Sequence, residues 1–149
     1  MKALAHGLAG GVSLLIISVF WLATISSELS GHDVFVQSVK LLVPWGFLVL
    51  IQALAVTGGS GFALTNGRNN PWITRKHARM KFAAANGILV LVPAALFLAS
   101  KAQTLDFDAV FYVVQAVELA AGATNIWLLA MNMRDGLRRR RKQASRREA

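Results

Sequence analysis

Four long apolar runs, separated by short polar connections, set the pattern of this chain. They are Leu4 to Ser27, Leu41 to Thr57 with an extension toward Leu64, Phe82 to Ser100, and Ala109 to Met133. Each approaches or exceeds the roughly 20 residues that a helix needs to cross a hydrocarbon core about 30 Å thick. The pattern predicts an all-α integral membrane protein, a four-helix antiparallel bundle. Helices are expected over about 4–27, 41–60, 80–100 and 108–133, in a transmembrane domain at 1–137, with a basic tail at 138–149. The first run has only Lys2 ahead of it, and its apolar stretch is longer than the roughly 7–15 residues of a signal sequence, so it reads as a retained helix. Ser30-Gly31-His32-Asp33 reads as a helix start capped by Ser30, and Asp106 as the cap of the fourth helix.

The fourth run breaks its own pattern. Gln115, Glu118, Gly122 and Asn125 recur at helical spacing and form one stripe on an otherwise apolar helix. A carboxylate in the bilayer interior costs several kcal/mol unless it is paired or neutral, so the stripe must face protein or enclosed water. Counting 1.5 Å per residue puts Gln52 about 18 Å inward from Lys40, and Glu118 about 15 Å inward from Asp108. With no lysine or arginine counted at that depth, a neutral Glu118 is expected to bond an amide, Gln52 first and Gln115 second. The same arithmetic sets Asn86 and Asn125 at similar depth, so these amides are expected to bond between the third and fourth helices.

Charge adds an orientation. The chain carries 16 Lys and Arg against 7 Asp and Glu, a formal net charge of +9, with 15% charged residues and a mean hydropathy of +0.50. All the cations except Lys40 and Lys101 fall at the N-terminus, in the connection between the second and third runs, or in the C-terminal stretch from Arg134 onward. That asymmetry predicts cytoplasmic termini in a bacterial inner membrane. Arg75, Lys76, Arg79 and Lys81 form a juxtamembrane cluster expected to meet anionic lipid headgroups. The membrane span accounts for these charges, so they do not imply nucleic acid. The absence of cysteine excludes disulfides, thiolate metal sites and cysteine nucleophiles.

Little in the sequence is specific to a reaction. TGGSG at 57–61 lacks the lysine and preceding strand of a phosphate-binding loop, and neither HExxH nor a Ser-His-Asp set is present. No catalytic residue and no metal site is assigned. Gly7, Gly10 and Gly11 suit close helix contact or, alternatively, leave room for a flat cofactor beside His6. His6 and His77 fall on the same side of the bilayer, with Met80 nearby, and would be the axial ligands if haem b binds, Arg75 and Arg79 pairing with its propionates. Three readings follow. The first is a non-catalytic accessory or assembly subunit whose partners are the bilayer and other membrane subunits. The second is a haem-b electron carrier, and the third a proton or small-solute path through Glu118, Gln52 and Gln115.

AHGLAGG, TGGSGF, RMKFAAANGILVLVP and NMRDGL resemble the pattern of small four-helix bacterial inner-membrane proteins without assigned activity, a likeness that extends over most of the chain. That resemblance implies the four-helix membrane fold and no reaction. A looser resemblance, limited to fold type, is to four-helix b-type cytochromes, which hold haem between histidines on facing helices.

Overall fold

The computed structural model describes residues 2–65 and 71–148. The chain is all-helical: α1 (Lys2–Ser30), α2 (Asp33–Thr65), α3 (Pro71–Asn86), a π-helical turn (Gly87–Leu91), α4 (Val92–Gln103) and α5 (Ala109–Glu148). The π-turn joins α3 to α4, so the described residues contain four helices long and apolar enough to cross a membrane: His6–Ser30, Asp33–Gly61, Ile73–Gln103 and Ala109–Arg138.

Three helices run well past their apolar stretches, and α3 starts at Pro71 rather than near 80, so the basic cluster from Arg75 to Lys81 is helical. α2 starts at Asp33, because the polar segment 33–40 carries Val36 and Val39 on a buried face and continues the helical spacing of Val43, Phe47 and Leu50. α5 continues to Glu148, since its basic end is rich in arginine, lysine, glutamine and alanine, all good helix formers.

The connections end the helices by local chemistry. Gly31 follows α1 with φ +66, a left-handed conformation that glycine adopts without penalty, and its N–H donates to Glu28 O. Ser30 closes α1, its hydroxyl donating to Ser27 O, while Phe35 and Val36 N–H donate to His32 O at the start of α2. Asp108 caps α5, accepting the Phe111 N–H at 2.8 Å. This corrects the expected Asp106 cap: Asp106 instead accepts from Lys101 Nζ at 2.6 Å, and Asp108 accepts from the same ammonium at 2.8 Å. The Lys101 hydrogen bond, aided by the Phe111 N–H, holds the Asp108 carboxyl below the usual carboxylate range.

α1 packs on α2, α2 on α4, and both α1 and α3 on α5. The main core is Ile17, Val39, Val43, Phe47, Leu50, Leu91, Ala95, Ala121 and Leu129, and a second cluster joins Val36, Leu98 and Phe111. Large apolar side chains also point outward: Leu15, Leu48, Leu89 and Val113 are each more than half exposed. Ser13, Thr24, Ser27, Lys40, Gln115, Glu118, Asn125 and Asn132 are buried. Water penalises this polar-inside arrangement, and a hydrocarbon surround favours it. Of the α1 glycines, Gly10 faces α2, where a Cβ would lie 3.6 Å from Thr57, whereas Gly7 and Gly11 meet nothing within 4 Å.

Pro93 follows the π-turn. Proline has no N–H and its ring crowds the preceding turn, and a one-residue widening is a recurrent way to absorb that misfit. Val92 N–H reaches Gly87 O, one residue beyond the α-helical partner.

Candidate functional site

Three polar constellations lie inside the helices. The deepest joins α2 to α5. Lys40 Nζ donates to Glu118 Oε2 at 2.5 Å, with the two side chains 0% and 9% exposed. This overturns the expected amide partner for Glu118: Gln52 lies on the exposed surface and Gln115 makes no bond to Glu118. The error lay in the depth assigned to Lys40. From the observed start at Asp33, Lys40 is about 10 Å along α2, and Glu118 is about 14 Å along α5 from Ala109. A lysine stem spans the rest. Two buried ions cost several kcal/mol each in lost hydration, offset only where they meet each other at close range.

Around this pair the interior stays polar. Gln115, one turn before Glu118 on the same face, is buried, and its Oε1 has no hydrogen-bond donor among the described residues. A cavity of about 30 Å³, space for one water, lies beside Glu118 and is bounded by Thr24, Trp21 and Gly122. Trp21 Nε1 donates to Leu119 O at 2.9 Å, tying α1 to α5. A Cβ at Gly122 would come within 3.1 Å of the same indole.

The second constellation is an amide clasp between α3 and α5. Asn86 Nδ2 donates to Asn125 Oδ1 and to Ala121 O, each at 2.9 Å, and Asn125 Nδ2 donates to Ala83 O at 3.2 Å. The expected pairing is therefore present, with two main-chain carbonyls added. Further along α5, Arg79 donates to Asp135 at 2.8 Å. Arg79 thus pairs within the chain, although residue type placed it among the headgroup-facing cations. Helical spacing of Asn125, Asn132 and Asp135 is the signal that would have found this pair.

The third is a cavity of about 630 Å³ whose walls include residues of all four spans. α2 leans on α1 and α4 while α3 leans on α5, so the space opens between α2 and α3. His6 and His77 both line it, with Met80. His6 Nδ1 lies 2.9 Å from Thr57 O and 3.2 Å from Ser60 Oγ. A carbonyl only accepts, so Nδ1 carries the proton and, in the neutral ring, Nε2 carries the lone pair. Gly61 makes room for this ring, since a Cβ there would sit 3.0 Å from His6 Cε1. Lys76 and Lys81 line the same end as the histidines, Arg75 is exposed, and Asn125 lies midway along. Among the described residues, no group of three or more His, Cys, Asp or Glu is arranged to hold a metal ion.

No protein-family model, curated protein or solved structure matches the chain.

Proposed function

We propose that this chain is a bacterial inner-membrane protein whose helices form an antiparallel bundle with both termini cytoplasmic. It serves as a non-catalytic accessory or assembly subunit of a larger membrane complex, with the bilayer and other membrane subunits as partners. The observation that carries this reading is the Lys40–Glu118 pair. The one acid deep in an apolar run is matched by a buried lysine on another helix, as a lock between helices requires. The Asn86–Asn125 clasp and the Trp21–Leu119 bond likewise run between helices and set their register. A proton path through Glu118 would have to break this lock at each passage.

The expected result is co-purification. Extracted from native membranes in mild detergent, the tagged chain should bring down a stoichiometric set of other integral subunits. Recovery as a single chain, with a native mass equal to itself plus detergent, defeats the accessory role.

Sidedness rests on the cations and has its own test. Single cysteines at Ser145 and Thr104 should label from opposite faces, Ser145 only after the cytoplasmic face is opened. Labelling of both from the periplasm sinks the topology without touching the accessory role.

A further inference from the structure

The cavity between α2 and α3 has its ionisable groups at one end only. His6, Lys76, His77 and Lys81 gather where α1 and α3 begin and α2 ends. Beyond Asn125, whose amide is already engaged with Ala83 and Asn86, the lining is apolar down to Phe47, Leu50 and Leu91. The fourteen helical steps from His77 to Leu91 cover about 21 Å, more than the roughly 15 Å depth of one leaflet of the hydrocarbon core. The volume of about 630 Å³ lies inside the range of small-molecule sites, about 300–1,000 Å³. No acidic side chain is among the described lining residues, so the charged end favours an anion.

We infer that this cavity seats one anionic glycerophospholipid, a tail lying along α3 between α2 and α5 and the phosphate held at Lys76 and Lys81. The charge pattern selects the headgroup, because a zwitterionic lipid presents an added cation to the same two lysines. Haem b fits the shape less well. Iron ligated by His6 and His77 would sit at the polar end and leave the long apolar part below it unfilled. His6 is held by Thr57 and Ser60 and packed on Gly61, which shapes the mouth of the cavity whichever ligand enters.

This inference rests on the membrane-spanning part of the proposed function, which cysteine labelling tests separately, and it is independent of the accessory role. The test uses the full chain, purified in detergent, stripped of lipid, and titrated with phosphatidylglycerol, with phosphatidylcholine of the same tails, or with inorganic phosphate. Native mass spectrometry counts what stays bound. One phosphatidylglycerol should be retained per chain, preferred over phosphatidylcholine by roughly tenfold, a ratio within reach of two interfacial cations. Lys76→Gln with Lys81→Gln should bring the two lipids to near parity. Ala84→Phe, which fills the apolar part, should abolish retention while the lysines stay in place. Ala55→Phe fills it from α2 and serves where Ala84→Phe does not fold. Equal retention of both lipids by the parent overturns the inference, as does an unchanged preference in the double lysine variant. Competition by inorganic phosphate as strong as by the lipid reduces the site to a shallow anion patch and also overturns it. A Soret band in the purified protein assigns the cavity to haem instead.

Discussion

Lys40→Met alone should destabilise the protein by about 3–5 kcal/mol, the usual cost of leaving one member of a buried ion pair uncompensated. The side chain is fully buried, and its ammonium contacts Glu118 at 2.5 Å. Methionine fills nearly the same volume, so packing changes little and the loss is electrostatic. Glu118→Leu alone should lower stability in the same direction, because it strips the counter-charge from the buried Lys40. The double variant Lys40→Met, Glu118→Leu should recover to parent stability or above, since both hydration penalties vanish together. Reversible unfolding in detergent read by circular dichroism gives the three values. Losses in the single variants that simply add, with coupling below about 0.5 kcal/mol, would mean that the pair is no lock. A double variant that is stable but loses subunits that the parent brings down would mean that the charges themselves, not only the register they fix, are used.

The four spans were legible because a bilayer imposes a length on apolar runs that a soluble core does not. The inward stripe on α5 was legible for a related reason: polar residues at positions 115, 118 and 125 of an apolar helix have nowhere else to point. Asn86 and Asn125 met as their depths required. Lys40 was misplaced because the second helix was counted from the apolar run beginning at Leu41. The turn signal at Ser30 to Asp33 already places a helix start there. Carried forward, it puts Lys40 about 10 Å along α2, within reach of Glu118. The π-turn left only Pro93 as a trace, and proline marks that a helix must adjust without saying how. The cavity was legible only as room beside His6, and that room was set against Gly7, Gly10 and Gly11, none of which lines it. His6 and His77 could be set on one side of the bilayer from charge, but the divergence of α2 from α3 depends on which helix each one packs against. A single sequence encodes that in side-chain shapes rather than in any period.

Gly46 offers a test in which propensity and packing predict opposite signs. It lies in α2, two residues after Pro44, and alanine is normally the better helix former by about 1 kcal/mol. Propensity alone therefore predicts that Gly46→Ala stabilises. The structure predicts the reverse, because a Cβ at 46 would overlap the outer edge of the Phe20 ring at Cζ. That ring cannot easily retreat: it packs edge-on against Phe47 with centroids 6.3 Å apart and lies against the main core. Overpacking of this kind typically costs about 1–3 kcal/mol, enough to match or exceed the propensity gain. The expected outcome is a net loss of about 1 kcal/mol, read as a Tm lower by roughly 2–4 °C for a chain of this size. Gly11→Ala is the control. It lies on α1 with nothing within 4 Å of its Cβ, so it should raise the Tm by propensity alone. Phe20→Leu, which withdraws the ring, should turn Gly46→Ala from destabilising to stabilising in the double variant. A Gly46→Ala protein as stable as the Gly11→Ala protein would show that α1 and α2 do not cross as closely at this point as the Phe20 contact requires.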